Sequence, residues 1–220
     1  ESDMMKSALQ RRGFENAVVM YNFKELEPLA ESDIEYPKSE PYKLCTFSRV
    51  MKEKGIEDAI NAVESVNAHF GRTVYTLDIF GQIDVEYKER FSQLEKSFPD
   101  YISYGGAIEA NKSVETLKSY FALLFPTYYK GEGFAGTLID AMSAGVPVIA
   151  SDWKYNPEFV VPGKTGVIIK NCNAERLAEE LINIAAAPEK WNSMRLSALK
   201  ESEKYKPDIA ARPLIDRING

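Results

Sequence analysis

FALLFPTYYKGEGFAGTLIDAMSAGVPVIASD, residues 121–152, sets two short apolar runs on either side of a glycine-rich loop and a helix-like segment. The runs FALLFP (121–126) and VPVIAS (146–151) are nearly continuous in apolar residues, as strands covered on both faces are. Between them GEGFAG (131–136) matches G-x-G-x-x-G and leads into TLIDAMSAG (137–145). An acid, Asp152, lies about 20 residues beyond Gly131, as in the dinucleotide-binding fingerprint. Strand, loop, helix and strand in this order make a βα unit.

The same alternation extends in both directions. Apolar runs occur at 43–48, 74–80, 101–106, 121–126, 146–151 and 165–170. Helix-like segments lie between them at 55–69, 84–97, 112–120 and 136–144, with another after the last run at 174–187. The expected fold class is therefore α/β, a doubly wound parallel sheet with helices on both faces. Ahead of it, SDMMKSALQRRGF (2–14) reads as a helix capped by Ser2 and stopped at Gly13. AVVMYNF (17–23) is rich in strand formers. The polar, proline-containing residues 30–42 read as a linker, and 188–219 as further helix broken near Pro207. In such sheets ligands bind beyond the carboxyl ends of the strands. Chemistry is therefore expected in the loops 48–55, 81–85, 105–112, 126–136 and 151–158.

Composition narrows the partners. The 220 residues are 45% hydrophobic and 27% charged, the balance of a globular protein. There are 27 basic and 33 acidic residues, net −6, which argues against nucleic acid as a partner. Aromatic residues, 11% of the chain, are scattered and form no stacking platform along a basic groove. No apolar run approaches the roughly 20 residues that span a bilayer. Cys45 and Cys172 lack metal-ligand spacing and read as reduced thiols, in keeping with a cytoplasmic setting. The chain opens on Glu1 rather than Met, as a fragment or a processed chain would.

The glycine pattern fits a nicotinamide site poorly. Five residues, Pro126 to Lys130, separate LLF (123–125) from Gly131, where a dinucleotide fold turns at once. Glu132 inside the loop would repel a pyrophosphate but suits a sugar hydroxyl. Gly136 and Thr137 open a helix whose free N–H groups favour an anion. Asp140 stands one turn inside it. Two acids flanking a phosphate-binding helix start suit a nucleotide sugar; equally, they suit solvated acids at a helix N-terminus. Across the sheet, Arg49 and Lys54 offer cations for a diphosphate or form a solvated basic loop.

Four blocks in order resemble one family: RVMKEKGIEDAI (49–60), YGGAI (104–108), residues 125–152, and PGKTGV (162–167). Together they are similar to the C-terminal donor-binding domain of family 4 (group 1) retaining glycosyltransferases of GT-B fold. The resemblance implies a nucleotide-sugar-binding domain over 43–205 and a C-terminal helical tail at 206–220. Residues 1–29 would be a remnant of the N-terminal GT-B domain. It implies that Arg49 and Lys54 neutralise the donor diphosphate and that Glu132 faces the transferred sugar. Gly133, Phe134 and Ala135 would touch the sugar through backbone, and Gly136 and Thr137 would lie near the phosphates. Asp140 takes the place of a glutamate that usually binds ribose, so its shorter arm asks for a closer ribose or a bridging water. Gly106 and Ala107 would lie near the nucleobase. Trp153-Lys154-Tyr155 departs from a glycine-rich turn common in the family.

The implied activity is sugar transfer from a nucleotide diphosphate sugar, with retention of configuration, to a saccharide or lipid-linked acceptor bound by the absent N-terminal domain. The leaving diphosphate would help deprotonate the acceptor. No metal and no separate cofactor are implied, and the full-length protein would touch the inner membrane face peripherally. A GT-B nucleotide-sugar epimerase and a non-catalytic nucleotide-binding module remain as alternatives. His69, Trp153 and Trp191 read as structural, while Tyr128 and Tyr129 either line the pocket or cover the sheet edge.

Overall fold

The computed structural model describes residues 2–219. Six parallel strands form one sheet: β1 (Tyr42–Phe47), β2 (Tyr75–Phe80), β3 (Ile102–Gly106), β4 (Ala122–Phe125), β5 (Val148–Ser151) and β6 (Gly166–Ile169). Their spatial order is β3-β2-β1-β4-β5-β6. The chain winds outward one way from β1 and then restarts at β4 in the other direction. The gap between β1 and β4 is thus the switch point, where doubly wound sheets hold their ligands.

Alternate residues of the central strands feed two cores. Leu44 and Leu124 join a cluster with Val63 and Val66 of α2 (Ile56–Phe70) and Leu177 and Leu181 of α7 (Ala174–Ala186). Cys45, Leu123 and Phe125 join Leu138, Ile139 and Met142 of α5 (Gly136–Ser143) on the opposite face. Burial on both faces is why the strands read as apolar without interruption. Shorter helices, α3 (Lys88–Glu95) and α4 (Ser113–Leu117), complete the crossovers. A one-turn helix, α6 (Asn156–Phe159), was not visible in the sequence pattern. The C-terminal region forms α8 (Pro188–Asn192), α9 (Arg195–Ser202), α10 (Pro207–Ala210) and α11 (Arg212–Asn219). Pro207 opens α10, where its missing N–H costs nothing.

Trp191 donates its indole N–H to the Phe121 carbonyl at 2.9 Å and packs in the core, as a structural tryptophan. Fully buried Arg195 gives two hydrogen bonds to the carbonyls of Tyr120 and Lys118, both 2.8 Å, and burial lowers its pKa to about 10. His69 closes the last turn of α2 with its ring edge on Phe70.

At the N-terminus, α1 (Asp3–Gln10) is capped by Ser2, whose hydroxyl accepts the Met5 N–H at 3.1 Å. The Glu158 carboxylate accepts the Asp3 and Met4 N–H groups, which seats the helix start on α6. The strand-forming segment 17–23 makes no strand. Strand propensity needs a neighbour to pair with, and this segment lies against α5 and its entry loop instead: Asn22 Nδ2 donates to the Phe134 carbonyl at 3.2 Å. Further on, the Leu29 N–H reaches the Ser143 carbonyl at 2.8 Å, Ile34 is buried, and the Asn192 side chain donates to the Pro37 carbonyl. Residues 30–41 are therefore packed along the domain surface. Among the described residues, no helix is long and apolar enough to cross a membrane.

Candidate active site

The loops after β1, β2, β3 and β4 border a cleft of about 540 Å³ at the switch point. Its walls carry Arg49 and Lys54 from the first loop, Gly81 and Gln82 from the second, Ala107 and Ile108 from the third. The fourth loop and α5 contribute Glu132, Ala135, Gly136, Thr137 and Asp140. The loop after β5, 151–158, lies outside the cleft and braces it. Trp153 donates its indole N–H to the Tyr129 carbonyl at 2.7 Å, and Ser151 donates to the Thr127 carbonyl at 2.5 Å.

Two acids stand in this cleft, and neither is a solvated surface acid. Glu132 is 8% exposed and Asp140 1%. An isolated buried carboxylate is costly, so each needs a partner. Lys54 Nζ lies 2.7 Å from Glu132 Oε2, and the Thr127 hydroxyl donates to the same oxygen at 2.8 Å. Lys24 Nζ lies 2.5 Å from Asp140 Oδ2, and the buried Ser113 hydroxyl donates to Oδ1 at 2.8 Å.

Local backbone geometry places Lys54. It ends a 3-10 turn, Lys52–Lys54, that Gly55 closes in the left-handed conformation, φ 73°. A side-chain carbon on Gly55 would come within 2.4 Å of the Pro126 carbonyl oxygen, so the β1 and β4 loops touch only because residue 55 is glycine. Gly81 plays the same part beside Ser48, where an added carbon would sit 1.8 Å from the carbonyl oxygen. The Lys54 amine also lies 5.3 Å from the centroid of the Tyr129 ring, and the Arg49 guanidinium 5.5 Å from that same ring. Tyr129 is a brace for both cations. Tyr128 is partly exposed and hydrogen-bonds Glu53 through its N–H. Arg49 meets Asp84 at 3.5 Å with about half of its side chain exposed, a weak tie that leaves its fork available.

The glycine loop acts as the support of this cleft. Ala135 caps α5 without a side-chain hydrogen bond. Thr137 donates to the Phe47 carbonyl at 2.5 Å and pins the start of α5 to the end of β1. Phe134 is buried, stacked on Phe159 with centroids 3.7 Å apart, and its carbonyl is engaged by Asn22. Gly133, Phe134 and Gly106 are not among the cleft-lining residues, whereas Ala107 is. The Gly106 carbonyl accepts the Gly81 N–H at 2.8 Å, which joins the second and third loops.

Three contributors were missed by sequence reasoning. Thr127 and Ser113 are ordinary hydroxyl residues until the fold brings them to a carboxylate. Lys24 lies in a segment that read as strand and carried no motif. Among the described residues no group of three or more His, Cys, Asp or Glu gathers as a metal site. Cys45 and Cys172 are free, and burial pushes the Cys172 thiol up to about 12 and the Cys45 thiol well above its ordinary value.

Comparison with known proteins identifies the family. Residues 30–201 match the family described as glycosyl transferases group 1. The GtfA subunit of a UDP-N-acetylglucosamine–peptide N-acetylglucosaminyltransferase from Streptococcus gordonii is 32% identical over 168 residues, covering 73% of this chain and 32% of that protein. The structure of HepE from Anabaena in complex with UDP and glucose superposes with TM-score 0.80 at 17% identity, over 99% of this chain and 61% of that one. The C-terminal domain of a group 1 glycosyl transferase, LpcC from Francisella tularensis, superposes with TM-score 0.64 at 18% identity, over 87% of this chain and 100% of that one. At these identities the two structures speak to fold alone. The chain spans about a third of the length of the curated relatives it matches. With a family match over most of its length, the chain belongs to the glycosyl transferases group 1 family.

Proposed function

We propose that the chain is the donor-binding half of a retaining glycosyltransferase, which moves a sugar from a nucleotide diphosphate sugar to a saccharide or lipid-linked acceptor. The observation that carries this reading is the pair of buried acids, Glu132 and Asp140, each paired with a lysine in one cleft. Burying two carboxylates is costly, and a ligand rich in hydroxyls gives that cost a purpose. Family membership and the place of the cleft at the switch point support it.

In this reading the diphosphate lies between Arg49, Lys54 and the start of α5. The cations and the helix N-terminus stabilise the charge that develops on the departing diphosphate. Lys54 and Thr127 both donate to Glu132 Oε2, and in this reading the carboxylate faces the transferred sugar. Asp140 accepts from the ribose, and Ala107 lies toward the base. The leaving diphosphate takes the acceptor proton, and the sugar keeps its anomeric configuration. The donor is a substrate, and no separate cofactor or metal is proposed. The acceptor is held by a domain outside this chain, so these residues alone bind donor weakly and transfer nothing. We place the full-length protein in the cytoplasm, in peripheral contact with the inner membrane face, without a nucleic-acid partner.

Calorimetry with UDP, GDP and ADP tests the site. Arg49→Ala is expected to weaken the tightest binder by about tenfold to a hundredfold, the worth of one charge-assisted hydrogen bond. No binding of any nucleotide diphosphate by the native chain would overturn the reading. Incubation of the full-length protein with a donor panel, followed by NMR of the product, identifies the sugar. An inverted anomeric centre would sink the retaining mechanism.

A further inference from the structure

The segment 17–30, which forms no helix or strand, brings a residue from outside the sheet to the cleft. Lys24 and Asp140 are 116 positions apart in the chain. The lysine stem passes over the first residue of α5: a side-chain carbon on Gly136 would sit 2.9 Å from Lys24 Cε and 3.4 Å from Nζ. Asn22 and Leu29 tie the segment to the Phe134 and Ser143 carbonyls on either side. The amine is thereby presented to the same cleft as Arg49 and Lys54.

Asp140 does not use up this lysine. An ammonium has three donors, Asp140 takes one, and the side chain is 32% exposed on the cleft side. The charges lining the cleft are Lys24, Arg49 and Lys54 against Glu132 and Asp140, one net positive. Without Lys24 the cleft would be neutral, a poor host for a diphosphate.

We infer that Lys24 is a donor-binding residue: Asp140 holds its amine over the start of α5, where it supplies a third cation to the donor diphosphate. The inference rests on the nucleotide-sugar reading above. It assigns to Asp140 the added role of aiming a cation, which a short carboxylate close to the helix axis can do from its buried position.

The test titrates UDP, GDP and ADP into the native chain, Lys24→Met, Lys24→Arg and the double variant Lys24→Met/Asp140→Asn. The tightest diphosphate is then compared with its own monophosphate. Lys24→Met is expected to weaken the diphosphate about tenfold and the monophosphate less than about threefold, with Lys24→Arg close to native. The double variant leaves no buried unpaired carboxylate and keeps the native net charge of the cleft, so a loss confined to the diphosphate, with the monophosphate sharing the same ribose, reads the Lys24 contact itself and is expected to persist in it. Recovery of the native preference for the diphosphate over the monophosphate in the double variant would reduce Lys24 to a counter-ion for Asp140 and overturn the inference. Unchanged or tighter diphosphate binding by Lys24→Met would overturn it too, while leaving the donor reading intact. A native chain that binds none of the three diphosphates would overturn both.

Discussion

The cleft holds two lysine–carboxylate pairs of the same chemistry and different construction. Lys54–Glu132 is built within the sheet domain, from the loops after two adjacent strands. Its side chains are 10% and 7% exposed, and Tyr129 and Phe125 wall in the amine. Lys24–Asp140 is built between the sheet domain and an extended segment outside it. There the acid is 1% exposed but the lysine 32%. The first pair has both arms on the sheet domain and both side chains largely buried in it. A pair with one arm on a surface segment can yield donors to a ligand while its acid stays fixed.

The largest effect is expected from Lys54→Ala, which takes the lysine partner from buried Glu132. Loss of one partner of a buried pair costs about 3–5 kcal/mol, read as a lower urea midpoint with an unchanged slope. A loss below about 1 kcal/mol would mean that the pair is as accessible as a surface one. Lys24→Ala should cost less, about 1–2 kcal/mol in the same measurement, because cleft water can reach Asp140 once the lysine is gone and Ser113 still donates to it. Equal costs for the two lysines would erase the distinction drawn between them.

The smallest effect belongs to a pair outside the cleft. The Arg90 guanidinium, helped by the Tyr87 hydroxyl, holds the Glu57 carboxyl below its ordinary value. A depressed carboxylate stabilises the fold above its unfolded pKa and loses that contribution as pH falls through its folded pKa. Glu57→Gln should therefore lower the urea midpoint slightly at pH 7, with the difference from native shrinking toward pH 3. A difference that grows on acidification would contradict the sign.

Much of this molecule can be read along the chain. All six strands fall within two residues of the apolar runs, because burial on both faces writes itself into consecutive residues. Glu132, Arg49 and Lys54 were visible as charged residues in loops after strands, where an α/β sheet keeps its ligands. The one-turn helix α6 was not visible, since four residues carry no period. The strand expected at 17–23 failed for the opposite reason: its residues suit a sheet, but pairing depends on a neighbour that composition does not reveal.

The sequence by itself determined the order of βα units, the two-faced core and the family resemblance, all local or serial properties. Only the tertiary structure decided that Glu132 and Asp140 are buried rather than solvated, and which cation each one meets. Those partners lie 78 and 116 positions away, and their meeting depends on strand order, loop contact at Gly55 and the path of the N-terminal segment. Periodicity records which face a residue turns inward; it holds no record of what waits on the other side.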